Sequence, residues 1–295
     1  MIGILFAQGS AILQATQNIL NKKLVKQEEP FVVIWYTIFL SLFFLIPAVV
    51  VNGIPVLGQN FYLFLGIRLF LDAFALSLYF YALKNGDVSL VIPLSTFSVV
   101  FSLISSSIIN KEMPGALGIL GIFIIMCGTY LLNLPQKDRF KHPLLPLRLL
   151  FSDLAARLIL LSAFLYGIIY SVNKAGINNS STSFFTLSAA SGLLIFFTLL
   201  LIIKHKKNVI NLLSFAKFKQ FLPLGLIDGV KIFLFMLAVT YTFVAFADAS
   251  DNTTAIYSTL LAGFLFKEKI KDRLLPISVM IFGVVIITLS NYLSM

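Results

Sequence analysis

Four ionisable side chains lie inside long apolar runs of this sequence. At the centre of a helix in lipid each costs about 2.5–3.5 kcal/mol on insertion scales, so such groups persist only where they are paired or hydrated. Arg68 and Asp72 are four residues apart, and Asp228 and Lys231 are three apart. On a helix each pair shares a face and can neutralise itself. Pairing that only fixes helix rotation fits this spacing. So does a site offering a cation and an anion from each half of the chain, a chemistry suited to a zwitterion such as an amino acid.

Uncharged polar residues mark further faces. Ser10, Gln14, Gln17, Asn18 and Asn21 recur at three- and four-residue intervals, as do Ser162, Tyr166, Tyr170 and Asn173. Each set stacks along one side of a helix, and lipid offers such groups no partner. The alternatives are interhelical hydrogen bonding or the wall of a hydrated cavity. Tyr79 lies on the same run as Asp72. Thr254 and Ser258 repeat Ser98 and Ser102, whose continuation to Ser106 is also the spacing of close helix packing. Asp248 and Asp251 fall one turn apart near the start of a late apolar run, where a cavity mouth would raise the local cation concentration. The substrate-binding candidates are therefore Gln14, Asn18, Arg68, Asp72, Tyr79, Ser102, Tyr166, Tyr170, Asp228, Lys231 and Ser258, with Asp248 and Asp251 at the mouth.

The elements that must carry them follow from composition. The chain has 295 residues, 59% hydrophobic and only 12% charged, about half the charge of soluble domains. Apolar runs at 2–20, 31–51, 61–82, 88–109, 115–133, 155–173, 183–203, 220–240, 245–266 and 275–293 are each long enough for a membrane helix. The net charge of +10 comes from bases clustered in alternate loops, around Lys22–Lys26, Lys84, Lys137–Arg148, Lys204–Lys219 and Lys267–Arg273. That pattern sets topology: the basic loops face the cytoplasm and both termini lie outside. It makes a nucleic-acid partner unnecessary. Trp35 and Tyr36 read as an interfacial anchor.

An internal repeat organises the ten runs. Residues 10–22 align with 162–174, and Asp72/Asp228, Ala82/Ala238 and Lys111-Glu112/Lys267-Glu268 recur at an offset of 156. Five spans per half turn the second half upside down in the membrane. The expected fold is all-α, a polytopic membrane protein of ten helices in two inverted-topology repeats, 1–133 and 155–295, joined by a basic loop at 134–154. Secondary transporters use this construction, with sites near the midplane at the repeat interface.

The Tyr81-Ala82-Leu83-Lys84 and Ser89–Pro93 stretches, Asn110-Lys111-Glu112 and Phe266-Lys267-Glu268 resemble EamA-type transporters of the drug/metabolite transporter superfamily. Ala249 departs from that pattern where Pro93 would repeat. The resemblance implies a central cavity lined by spans one, three, four, six, eight and nine.

Other chemistries find little support. Cys127 is the sole cysteine and His142 and His205 are the only histidines, so neither a disulfide nor a thiolate metal site is expected. No Walker-type loop, HExxH or Ser/His/Asp set occurs, and no enzymatic activity or cofactor is expected. The expectation is an ATP-independent, alternating-access transporter in a bacterial inner membrane, exporting amino acids or similar amphipathic solutes. Its partners are a small-molecule substrate and the lipid bilayer, and both a monomer and a homodimer remain open. An importer or flippase of a cationic or lipid-linked headgroup, or a non-transporting subunit of a membrane complex, are the rivals.

Overall fold

The computed structural model describes residues 1–24, 28–85, 93–134, 144–205, 214–266 and 273–293. The side chains of Asn21, Lys22 and Lys84, and residues Lys267 and Glu268, lie outside that description. The described residues fold into helices: α1 (Ile2–Leu24), α2 (Pro30–Asn52), α3 (Phe61–Asn85), α4 (Ser98–Ile109) and α5 (Ala116–Asn133). A short α6 (Leu145–Leu149) follows in the stretch expected to be only a loop. Then come α7 (Leu154–Asn178), α8 (Thr182–His205), α9 (Phe215–Tyr241), α10 (Val244–Asp251), α11 (Thr254–Phe266) and α12 (Leu274–Leu293).

Local chemistry fixes the ends. Pro30 opens α2 at a position whose N–H is not needed. Asp153 caps α7 by accepting from Ala155 N at 2.9 Å, and Ser214 caps α9 by accepting from Lys217 N at 3.2 Å. At the close of α4, Lys111 adopts φ 56° and Glu112 N bonds Ser106 O at 3.2 Å, a left-handed ending that turns the chain back over the helix.

Seven described helices, α2, α3, α5, α7, α8, α9 and α12, are long and apolar enough to cross a membrane. Of the remaining long runs, α1 has the length but is diluted by Gln8, Gln14, Gln17 and Asn18, and the ninth is divided between α10 and α11.

Contacts define two ends of the bundle. At one, Glu29 pairs with Lys204 and with His205 at 2.8 Å, and Glu28 pairs with Lys217 at 2.7 Å. At the other, Glu112 pairs with Lys174 and accepts Val244 N at 2.8 Å, while Thr242 Oγ1 meets Asn291 Oδ1 at 3.3 Å. Between the ends α1 packs on α9, α10 and α11, α3 and α4 pack on α7, and α5 packs on α12. The α4–α7 approach is close because Gly167 has no side chain: a Cβ there would sit 2.7 Å from Ser102 N.

Trp35 and Tyr36 depart from the anchor expectation. Trp35 Nε1 donates to Thr198 Oγ1 at 2.8 Å, and the buried Tyr36 stacks on Phe221 with its hydroxyl accepting from Ser214 N at 3.2 Å. Their polar atoms find protein partners, so both rings join helices instead of reaching for headgroups.

Candidate functional site

Two turns interrupt the helical runs at corresponding places. In the first, Phe97 N bonds Leu94 O at 3.2 Å, Val99 N bonds Thr96 O at 3.3 Å and Val100 N bonds Phe97 O at 3.0 Å. In the second, Thr253 N bonds Ser250 O at 3.1 Å, Ala255 N bonds Asn252 O at 3.3 Å and Ile256 N bonds Thr253 O at 2.8 Å. Every atom of one set maps to the other at the offset of 156 that relates Asp72 to Asp228. These are three-residue bonds of the 3₁₀ type, so each run tightens without abandoning its backbone groups. Side chains reinforce both turns: Thr96 Oγ1 donates to Pro93 O at 2.8 Å, and Thr253 Oγ1 donates to Ser250 O at 2.6 Å.

Both breaks face a cavity of about 1070 Å³ inside the bundle. α1 contributes Ser10, Gln14, Gln17 and Asn18, and α7 contributes Ser162, Tyr166, Tyr170 and Asn173. The two polar stripes therefore meet the same space. The Tyr166 and Tyr170 rings stack at 6.1 Å, and Tyr170 leans on Phe235 at 5.0 Å, giving the wall an aromatic strip.

The charged pairs line the same cavity. Arg68 Nη1 lies 2.8 Å from Asp72 on α3, with side chains 7% and 5% exposed. On α9, Lys231 Nζ lies 2.8 Å from Asp228 Oδ1. Gln17 of α1 closes that second pair into a triad: its Nε2 donates to Asp228 at 2.9 Å and its Oε1 accepts from Lys231 at 2.9 Å. Each pair is neutral within itself, which is what burial of charge demands, yet each still presents both signs to the cavity.

Tyr79 and Ser258 also line the space, and the buried Ser258 Oγ makes no hydrogen bond among the described residues. Ser102 does not line it. Its side chain is fully buried, its Oγ donates to Val99 O at 3.0 Å, and it stands against Asp248 beside Ser98, behind the cavity wall. Asp248, expected at an exposed mouth, is 2% exposed on α10 and takes Ser98 Oγ at 3.3 Å and Asn252 Nδ2 at 3.0 Å. Asp251 accepts Ser10 Oγ at 2.7 Å. Both belong to the cavity wall beside the second break, because α10 folds inward where the sequence reading drew a helix end.

Several lining residues were not singled out as candidates, among them Thr37, Asn133 and Arg273. Gln8 lies off the polar stripe of α1. Its Oε1 accepts Tyr257 Oη at 2.7 Å and Thr253 Oγ1 at 3.0 Å, and its Nε2 reaches Ser250 O at 3.3 Å, so it clasps the second break. Its place two residues before Ser10, off the main stripe, concealed it.

The lining reaches Val33 near the start of α2, Leu132–Leu134 past the end of α5 and Arg273 before α12, all at the end carrying the Glu29–Lys204 contacts. The Glu112–Lys174 contacts lie at the opposite end.

The EamA-like transporter family matches residues 1–134 and 154–290. A crystal structure described simply as that of a protein superposes with a TM-score of 0.75 at 15% identity, over 98% of this chain and 98% of its own. That likeness speaks for the fold alone. No curated protein matches the chain.

Proposed function

The chain belongs to the EamA-like transporter family, membrane transporters of small molecules, and from that premise we propose a secondary, ATP-independent exporter of amino acids or similar small amphipathic solutes. The observation that carries the reading is the meeting of Arg68–Asp72 and Asp228–Lys231 on one cavity with an aromatic strip between polar stripes. A zwitterion presents one charge of each sign and a side chain, and this wall offers counterparts to all three. Gln14, Asn18, Tyr79, Tyr166, Tyr170 and Ser258 complete the proposed site.

We read the architecture as ten membrane spans in two inverted repeats, 1–133 and 155–295, about the connecting stretch 134–154. The recurrence of the two breaks at one offset supports this, since interrupted helices at equivalent places in the halves are the sign of a transporter's binding site. In this reading the basic-loop end is cytoplasmic and both termini lie outside. The cavity then opens inward, as a carrier loading from the cytoplasm requires, and the halves rock to expose it to the far side. A bacterial inner membrane suits these features. The rival headgroup carrier rested on an acidic mouth formed by Asp248 and Asp251; with both carboxylates drawn into the cavity wall, the paired charges favour the zwitterion.

Proteoliposome flux of labelled amino acids tests the proposal. Asp72→Asn and Asp228→Asn should each abolish flux in protein that still folds, and undiminished flux in both would sink the zwitterion site.

A further inference from the structure

The cavity carboxylates divide into two kinds. Asp72 and Asp228 each hold a cation within 2.8 Å. Asp248 and Asp251 make no ion pair among the described residues, although both line the cavity. Asp248 is the extreme case. It is 2% exposed, its Oδ1 collects the bonds from Ser98 and Asn252, and its buried Oδ2 makes no hydrogen bond among the described residues. An ionised carboxylate so placed leaves an anionic oxygen without a donor, which costs heavily. A carboxylic acid there turns that oxygen into a donor facing the cavity.

The surroundings suit a proton better than a metal ion. Metal cations need several free oxygens, and those near the second break are already engaged. Asp248 O accepts Asn252 N at 3.0 Å and Nδ2 at 2.9 Å, and Ser250 O accepts from Thr253 and Gln8. Asp251 O accepts Thr254 Oγ1 at 2.7 Å. The titratable groups beside Asp248 are Asp251 on its own helix and Tyr170 of α7, while Asp228 and Lys231 of α9 line the same cavity. The α1 wall supplies Ser10 and Gln8, the α4 wall supplies the hydroxyls of Ser98 and Ser102, and α5 presents Gly118 to the Phe246 ring. No described cation from these elements lies within ion-pair distance of Asp248. Lys231 is taken by Asp228 and Gln17.

We propose that Asp248 is the proton-binding residue of this transporter, carrying one proton as a neutral acid in one conformation and releasing it to the cavity in another, with Asp251 beside it opposing a second charge. The step is protonation of a carboxylate and its reversal, with no other bond changed. It rests on the transport reading for its purpose, but not for its chemistry.

The test uses the full chain in proteoliposomes. Dicyclohexylcarbodiimide attacks protonated carboxyls in apolar surroundings, so mass spectrometry should find its adduct at Asp248, falling as pH is raised and lost in Asp248→Asn. Asp72, held by Arg68, should stay unlabelled. Ser98→Ala removes a donor that favours the anion and should move loss of labelling to higher pH, a readout independent of whether Asp248→Asn folds. In transport, stimulation of amino-acid flux by a pH gradient should vanish in Asp248→Asn. An Asp248 unreactive at every pH in folded protein, stimulation surviving in Asp248→Asn, or a sodium gradient replacing the pH gradient would overturn the proposal. If no amino acid moves in the unaltered protein while Asp248 labels as expected, the substrate reading fails and the proton site stands.

Discussion

Glu112 and Lys174 tie together the far ends of four chain segments. They form an ion pair across α4 and α7, and each reaches further: the carboxylate accepts Val244 N at 2.8 Å and the ammonium donates to Thr242 O at 2.6 Å. One pair of charges therefore fixes the turn between α9 and α10 against two other helices.

That geometry makes the two charges interdependent. Removing one partner of a buried pair costs about 3–5 kcal/mol because the other is left uncompensated, whereas removing both is far milder. With 15% and 10% exposure this pair belongs near the low end. Lys174→Met should lower the melting temperature in detergent more than Lys174→Met/Glu112→Gln does. Equal loss in the single and double variants would show that the ion pair is incidental.

Gln17 and Asn18 are neighbours with different duties. Gln17 is buried and bonds both members of the α9 pair, and hydrogen bonds to charged groups are worth about 1.5–3 kcal/mol. Gln17→Leu should cost on that order in chemical unfolding. Asn18 is exposed to the cavity with a single bond to Gln14, and Asn18→Ala should stay within about 0.5 kcal/mol. A reversed order would contradict the triad.

Two glycines separate sterics from helix propensity. A Cβ on Gly167 would lie 2.5 Å from Phe101 Cβ and 2.7 Å from Ser102 N, and a backbone atom cannot rotate away. Gly167→Ala should destabilise by about 1–3 kcal/mol. A Cβ on Gly66 meets nothing within 4 Å, so Gly66→Ala should gain up to about 1 kcal/mol from propensity. Thermal unfolding of both variants decides it.

At the opposite end, the fixing charges respond to pH. Burial raises the Glu29 carboxyl, but the Lys204 and His205 contacts outweigh it and hold the group below its ordinary value. A depressed acid contributes stability that is present above its unfolded pKa and lost as pH falls through the folded one. Acidification into the low carboxylate range should therefore loosen α2 from α8. Glu29→Gln should flatten that acid limb of a pH–stability curve while leaving the neutral side lower, and an unchanged acid limb would disprove the attribution.

The seven long apolar helices were legible because a run of about 20 apolar residues bounded by prolines, Asn-Gly turns and bases has few other readings. The ion pairs were legible too, since i,i+3 and i,i+4 spacing works within one helix. Partners set by tertiary folding were not. Ser102 shares the period of Ser98, and periodicity cannot say which neighbour a face meets. Tyr36 resembles an interface anchor until Ser214, 178 residues away, supplies its donor. The break at Asn252-Thr253 left only a trace, the cluster of Asp248, Asp251 and Asn252 where a proline would repeat. Three of its backbone hydrogen bonds match those of the first break at one offset, but the side chains holding the two differ.

The polarity of α1 has a consequence for biogenesis. Its glutamines and asparagine make it one of the helices least able to stay in lipid on its own. The partner that settles Gln17 is Asp228, made 211 residues later. Until α9 arrives, α1 must be sheltered by the insertion machinery or rest near the membrane surface. Substitutions that make α1 more oily should therefore speed its insertion while stripping the wall it exists to build, so that yield and activity move in opposite directions.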